Sequence, residues 1–484
     1  MQATASELDP ALRERETNSF SIDSRDVQAG DVFFALSQPD YKNNGFNGDF
    51  DDATVFVPAA FEKGAIACVV RPDRYEADRT KLEQFRHQLL FVDDVIAAFQ
   101  KLAHGVYLEW GGPVVAITGS AGKTTAKEIT AHVLEKSGRK VLRNIKNYNN
   151  GLGHPITVLN LAKDMSYDVA VLEMGMSTPM NEIRRLCNIT PPDVAVELNV
   201  LPVHVEHLGS IENVAKAKAE LVEGLKEGGT AVLNADDLRV LAMRDLVSNA
   251  FVLTYGTDTA ADIRAIDVRF KRFGETTFEL ATPTGNSNVT FPLNGRHNIS
   301  NALAAAAVGH IFGMNVRDIA SVLGSVAAPP QRGEVLHFAS GFTVINDSYN
   351  SNPSALLSMI ETVIEGRPQG ARVVVVAGEM LELGEKEKQI HQDVGEQVAA
   401  AGVDVLVGVR GLARQMTDAA ERAGLDSVHF SEDSENAGDH LANIIRAGDV
   451  VLIKGSRGVR TEKVLEKLLE KFQLENSASG KAVK

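Results

Sequence analysis

The sequence predicts an α/β protein of three domains, and three observations carry that reading. At 484 residues the chain is longer than one hydrophobic core supports, and ~150 residues per domain gives about three. Fully apolar runs such as 114–117 and 373–377 have the character of strands buried on both faces, as in parallel sheets. Segments of helical period separate them, the alternation that lays helices on the faces of a parallel sheet.

In chain order, the first ~108 residues hold short strand-like runs at 32–36, 65–70 and 89–92, with turn-rich stretches between them. YKNNGFNGDFDD is the longest of these loops. A Gly-Gly-Pro break at 111–113 precedes the run 114–117 and marks a boundary, so 1–110 reads as a mixed α/β domain. From Pro113 to about Val326, strands alternate with helix-period segments, so 111–326 reads as an α/β domain with helices on both faces of its sheet. AAPPQRG, from Ala327, breaks the helical pattern. Strand-like runs follow at 343–345, 373–377 and 450–454, with a weaker one at 404–409, and 327–484 reads as a doubly wound, Rossmann-like domain. The last ten residues, ENSASGKAVK, read as a frayed tail.

Composition narrows the function classes. Hydrophobic residues at 44% and charged residues at 23% exclude a disordered chain. The formal net charge of -15 repels phosphate backbones and anionic lipid, which argues against nucleic acid as a partner. Cys68 and Cys187, the only cysteines, form no CxxC pattern, so the reading is a reducing compartment without a disulfide framework. The N-terminus lacks the basic flank and apolar core of a signal peptide, and no segment approaches ~18 uninterrupted apolar residues. The expectation is a soluble cytoplasmic protein, not inserted in a membrane.

The segment VVAITGSAGKTT, 114–125, reads as strand, glycine-bearing loop, Lys-Thr-Thr and helix. Such a loop aims backbone N–H groups and a helix N-terminus at phosphate, with Lys123 reaching the outer phosphates and Thr124 a magnesium ion. ATP is the expected ligand. The strict Walker pattern would need glycine at position 117, where Ile117 stands; the glycine here is Gly119. An ordinary glycine turn before a helix is the competing reading. DVAVLEM, from Asp168, reads as a strand whose Glu173 sits near its C-terminal end, the ligand side of a parallel sheet; a helix cap or a solvated acid is the alternative.

Ile211, Val214, Ala215, Leu221, Val222 and Leu225 form one helical stripe, and Lys218 falls inside it, whereas Lys216 points away. A buried lysine loses proton affinity, and its neutral amine can combine with carbon dioxide to give a carbamate, an oxygen ligand for metal. Snorkelling or pairing with a carboxylate competes with that reading. His204 and His207 precede this helix without the third ligand of a zinc site.

Together these residues resemble the Mur ligase family, ATP-dependent amide-forming enzymes of peptidoglycan precursor synthesis. TGSAGKTT resembles the family's ATP loop (Gly119, Ser120, Ala121, Gly122, Lys123, Thr124, Thr125) and LEMG its metal-binding glutamate, Glu173. His204, fourteen residues before Lys218, matches the spacing of the family's metal histidine and carbamoylated lysine. GRHNISNALAA resembles the adenine-side motif, with Asn298 and Asn301 on one helical face; Arg332 resembles the arginine on ATP phosphate, and Asp347 the residue holding the ribose. DSYNSNP, GEMLELGE and KGSRGVRTE are most similar to the branch that adds D-alanyl-D-alanine to UDP-N-acetylmuramoyl-tripeptide, and the DNPR motif of the diamino-acid branch is absent.

The resemblance implies two magnesium ions, one at Thr124 and Glu173 and one at His204 and carbamoylated Lys218, with Lys123, Glu173, His204 and Lys218 as the catalytic set. It implies UDP-sugar-peptide contacts at Ser24, Arg25, Asn149 and Asn150, and dipeptide contacts at Tyr349, Asn350, Asn352, Lys454, Ser456 and Arg457. The three domains become sugar-nucleotide, ATP and dipeptide modules of a monomer. Two departures stand out: Leu36-Ser37-Gln38 in place of Leu-Lys-Gly, and Leu198-Asn199-Val200-Leu201 in place of Thr-Asn-Ile-Gly. A Mur-type ligase for another amino acid, a folylpolyglutamate-type ligase, and a kinase or nucleotide switch on the same loop are the rival readings.

Overall fold

A computed structural model describes residues 9–46, 51–145, 147–176, 181–202, 208–328, 330–381 and 383–475. The chain packs as two compact units, Met1–Ala261 with Ala307–Ile311, and Asp262–Ala306 with Phe312–Lys484.

The first unit holds two groups of parallel strands. The first group is β1 (Phe20–Ser21), β2 (Val32–Phe34), β3 (Ala67–Val70) and β4 (Leu89–Phe91), in that spatial order. Helix α1 (Val95–Trp110) follows, its N-terminus capped by Asp94, which accepts the Ala97 N–H at 2.8 Å. Its buried face, with Val95, Ile96, Phe99 and Ala103, belongs to a core that also takes in strands on the far side of Gly111. Trp110 Nε1 donates to Tyr167 O and Gln100 Nε2 to Gly151 O, each at 2.8 Å, which ties the helix across that point.

The second group has six strands: β5 (Val114–Thr118), β6 (Val141–Arg143), β7 (Val169–Glu173), β8 (Val194–Glu197), β9 (Thr230–Asn234) and β10 (Phe251–Gly256). They lie in the order β10-β9-β8-β5-β7-β6, every neighbouring pair parallel. Helices α2 (Lys123–Lys136), α3 (Gly153–Leu159), α4 (Glu182–Ile189) and α5 (Ile211–Glu223) connect them. Strand β5 is buried throughout and sits between β7 and β8, so the chain turns to opposite sides of it. That reversal opens a crevice at the carboxyl ends of the strands, where α/β sheets bind ligands. In register, Ile117 faces Glu173 and Thr118 faces Glu197.

The second unit begins with a departure from the expected alternation. Strands β11 (Ile263–Arg272), β12 (Glu275–Thr282) and β13 (Gly285–Phe291) form an antiparallel meander without intervening helices. Side chains alternate between half-buried and buried along the first six residues of β12, the two-residue period of a half-solvated sheet, and tight turns at Gly274 and Gly285 leave no length for a crossover helix. Helices α6 (Arg296–Ile311) and α7 (Val316–Leu323) follow.

Six more strands complete the unit: β14 (Glu334–His337), β15 (Thr343–Asp347), β16 (Val373–Gly378), β17 (Val405–Val409), β18 (Val428–Ser431) and β19 (Val450–Lys454). Their order is β14-β15-β19-β16-β17-β18, with only β14 antiparallel. Helices α8 (Pro353–Gly366), α9 (Glu387–Ala400), α10 (Ala413–Arg422), α11 (Ser434–Ile444) and α12 (Glu462–Lys471) link them. The four inner strands are those expected from their apolar runs. The edge strands β14 and β18 are only half-buried and carry no such run. Glu475, first residue of the expected tail, donates its N–H to His337 O at 2.8 Å.

Candidate active site

The site is built from the carboxyl ends of β5, β7 and β8. After β5 the chain passes so close to the β8 loop that a Cβ on Gly119 would stand 2.8 Å from Leu198 Cβ, so only glycine fits there. The loop is held by its neighbour. Asn199 accepts the Ala121 N–H at 2.9 Å and donates to Ala121 O at 3.1 Å, while Ser120 Oγ exchanges hydrogen bonds with the Leu201 main chain. Asn199, the residue kept where the 198–201 segment departs from the family pattern, is thus a loop clamp. Lys123, first residue of α2, folds its Nζ onto Gly119 O at 2.8 Å.

Thr124 and Glu173 meet as expected. Thr124 Oγ1 donates to Glu173 Oε2 at 2.8 Å, and Asn149 Nδ2 donates to Glu173 Oε1 at 2.8 Å. The Asn149 backbone is fixed too, accepting the Gly175 N–H at 2.7 Å; a Cβ on Gly175 would stand 2.8 Å from Asn149 Cγ. A hydroxyl and a carboxylate at a helix N-terminus are the hard oxygen donors that magnesium prefers, so the residues present fit that ion. Asn149 therefore serves Glu173. Asn150 Oδ1 accepts the N–H groups of Leu152 and Gly153, at 3.2 and 2.9 Å, in the turn that enters α3.

Lys218 is 2% exposed on α5, as its place in the apolar stripe predicts. Burial, joined by the charge of Lys123, pushes its amine down to about 7, against the opposing pull of Glu197. His204 and His207, the other half of the expected second metal site, lie outside the described residues. The sequence reading missed Glu197, which is fully buried at the end of β8, with neither carboxylate oxygen hydrogen-bonded among the described residues. Burial raises its proton affinity well above the usual carboxylate range. Its signal was available: VAVE ends an apolar strand in an acid just as VAVLE does.

Among the other expected contacts of the first unit, Arg25 forms an exposed ion pair with Asp23 at 2.6 Å, and Lys63 Nζ donates to the carbonyls of Ser24 and Arg25.

In the second unit the ends of β15 and β19 lie side by side, and Lys454 Nζ donates to Asp347 Oδ2 at 2.5 Å and to Asn350 O at 3.0 Å. The expected ribose-side acid and dipeptide-side lysine are therefore one ion pair. Arg332 stacks on the Tyr349 ring 3.9 Å from its centroid, and Arg457 approaches the same ring at 5.5 Å. Asn352 caps α8 by accepting the Ala355 N–H, and Ser456 Oγ donates to Ser351 O and accepts the Leu381 N–H. Asn298 and Asn301 are buried one turn apart on α6, joined at 3.5 Å.

With this geometry in hand, comparison with known proteins is decisive. The family model described as "Mur ligase middle domain" matches residues 117–309, and "Mur ligase, glutamate ligase domain" matches 331–457. A relative from Escherichia coli, UDP-N-acetylmuramoyl-tripeptide--D-alanyl-D-alanine ligase, is 34% identical over 94% of each chain. The chain belongs to the Mur ligase family. The fold of this Mur ligase matches a MurF crystal structure from Acinetobacter baumannii with a TM-score of 0.82 at 27% identity, covering 95% of this chain and 94% of that one. It also matches a Thermotoga maritima MurF ligase in complex with ADP, with a TM-score of 0.78 at 29% identity over 94% and 98% of the two chains. No described helix of the ligase is long and apolar enough to cross a membrane.

Proposed function

We propose that this chain is the ATP-dependent ligase that joins D-alanyl-D-alanine to UDP-N-acetylmuramoyl-tripeptide, an ADP-forming step of peptidoglycan precursor synthesis in the cytoplasm. The observation that carries the reading is the Thr124–Glu173 contact above the phosphate loop, in a chain that relatives of that name match over 94–95% of its length. A carboxylate is a poor acyl donor. Its attack on the ATP γ-phosphate gives an acyl phosphate and ADP; the dipeptide amine then attacks the carbonyl, and phosphate leaves from the tetrahedral intermediate.

The protein contributes position and charge. The N–H groups at the start of α2, after the Asn199-clamped turn, face the phosphates, and Lys123 leaves Gly119 O to neutralise charge developing on the γ-phosphate. Thr124 and Glu173 hold one magnesium ion, which supplies further neutralisation of the phosphates. Lys218, whose amine burial pushes down to about 7, would combine in its neutral form with carbon dioxide to give a carbamate, releasing one proton to solvent, and with His204 would hold a second. We assign UDP-sugar recognition to 1–110, with Ser24 and Arg25, ATP to 111–326, and the dipeptide to 327–484, with Tyr349, Asn350, Asn352, Lys454, Ser456 and Arg457. Asn298, Asn301, Arg332 and Asp347 serve the nucleotide.

The test is phosphate release with UDP-N-acetylmuramoyl-tripeptide, D-alanyl-D-alanine and ATP, each omitted in turn, with mass spectrometry of the product. Release that needs all three, with a product heavier by one dipeptide residue pair, is the expected result; release independent of the dipeptide overturns it.

A further inference from the structure

Beneath the phosphate loop lies a buried link that the proposed reaction leaves unused. Lys127 stands one helical turn after Lys123 and is 1% exposed. Its Nζ donates to Asn144 O at 2.5 Å and lies 3.0 Å from Glu128 Oε1. Asn144, 2% exposed, commits its side chain to the backbone of Glu173: Oδ1 accepts the Glu173 N–H at 3.0 Å and Nδ2 donates to Glu173 O at 2.9 Å. Nδ2 also donates to Tyr148 O at 2.9 Å, which anchors the loop that delivers Asn149 to the Glu173 carboxylate.

The link therefore joins the helix carrying Thr124 to the strand end carrying Glu173. Ladder hydrogen bonds fix β7 against β5, but they do not fix α2 against the end of β7. The Lys127–Asn144–Glu173 chain does so, one turn below the point where Thr124 Oγ1 meets the carboxylate. Burying an ammonium is costly, and this one is spent on a single carbonyl and a neighbouring acid. Magnesium demands near-ideal geometry at about 2.0–2.1 Å, so the spacing of its two protein donors matters to tenths of an ångström.

We infer that Lys127 and Asn144 are positioning residues that set the gap between Thr124 Oγ1 and the Glu173 carboxylate, and with it the affinity of the site for a small divalent cation. This rests on the reading of Thr124 and Glu173 as metal holders. Partners that orient metal ligands cost about 10- to 100-fold in affinity when removed.

The probe is Mn²⁺, its free fraction followed by electron paramagnetic resonance in the full-length protein with ADP, beside ADP affinity without metal and thermal midpoints. Lys127→Met and Asn144→Ser should each weaken Mn²⁺ binding about tenfold or more while metal-free ADP affinity stays at the wild-type value. Glu173→Gln is the control. If it weakens Mn²⁺ binding while Lys127→Met and Asn144→Ser bind like wild type, the positioning role is overturned and the metal reading stands. If Glu173→Gln binds Mn²⁺ like wild type, the metal reading falls and the inference with it. An equal loss of metal-free ADP affinity in the two positioning variants also overturns the inference, because the whole loop is then distorted. Should Lys127→Met not fold, Asn144→Asp decides: it keeps the acceptor for the Glu173 N–H but loses both Nδ2 donors, and wild-type Mn²⁺ affinity in that variant overturns the role.

Discussion

Glu173 and Glu197 end the two strands that flank β5, both nearly or wholly buried, and their surroundings differ sharply. Glu173 has a partner on each carboxylate oxygen and a clip on its backbone. Glu197 has no hydrogen bond to its carboxylate among the described residues, and faces the field of Lys218 instead. The first is a preorganised carboxylate, held in place by hydrogen bonds to both its oxygens and its backbone. The second is a carboxyl that burial pushes toward its protonated form, opposed by a neighbour that itself sheds its proton easily. One flank is thus held by hydrogen-bond geometry and the other by charge balance.

The largest effect should come from the charge-balance flank. Lys218→Ala removes the amine proposed to become a carbamate, and we expect ligation to fall by on the order of 10³-fold or more, with ATP still bound. Raising bicarbonate should not restore it. Steady-state phosphate release measures this, and a near-normal rate ends the carbamate reading.

A stability measurement tests the same contrast more gently. Because its carboxylate has no hydrogen bond among the described residues, Glu197→Met should cost nothing and gain up to about 3 kcal/mol in denaturant unfolding at pH 8.5, where the Lys218 amine is largely uncharged. Destabilisation would show that Glu197 is paired after all, and the contrast with Glu173 would dissolve.

His154, on the same unit, carries a comparable burden. It is fully buried, with Nε2 2.7 Å from Thr190 Oγ1 and Nδ1 without a hydrogen bond among the described residues, and burial pushes it down to about 3. The unfolded chain therefore takes up a proton as pH falls below about 6.5, while the folded chain declines it until about 3. Stability is full above pH 6.5 and drains away below it, by about 2 kcal/mol at pH 5. His154→Gln should flatten that slope between pH 7.5 and 5 in urea titrations; an unchanged slope assigns the acid sensitivity elsewhere.

These residues also mark what a sequence can and cannot disclose. Lys218 and Thr124 were legible because a helical stripe and a phosphate loop have local periods and spacings, and the inner strands because burial on both faces writes a continuous apolar run. The meander β11 to β13 was misread because its period-two alternation is diluted by polar residues on the open face. Asn144 and Lys127 were invisible: their bonds run to backbone groups 29 and 17 residues away, and backbone partners leave no mark in side-chain identity. Glu197 left a mark, the acid at a strand end, but its isolation is a property of packing alone.

The smallest effect belongs to the second unit, where the expected contacts are shared rather than fixed or isolated. Tyr349 offers one ring to both Arg332 and Arg457, and Arg457 is steadied further by Gln331 Oε1 at 3.1 Å and Glu462 Oε1 at 3.2 Å. A cation on a partly exposed ring is worth about 0.5–1 kcal/mol. Tyr349→Leu should therefore raise the KM for D-alanyl-D-alanine only about two- to fivefold, with Tyr349→Phe recovering most of the loss because it keeps the ring face. A loss of a hundredfold or more would mean that the dipeptide contact assigned to Tyr349 carries far more than the stack does, and the ring would then belong with Glu173 among the preorganised contacts rather than with the shared ones.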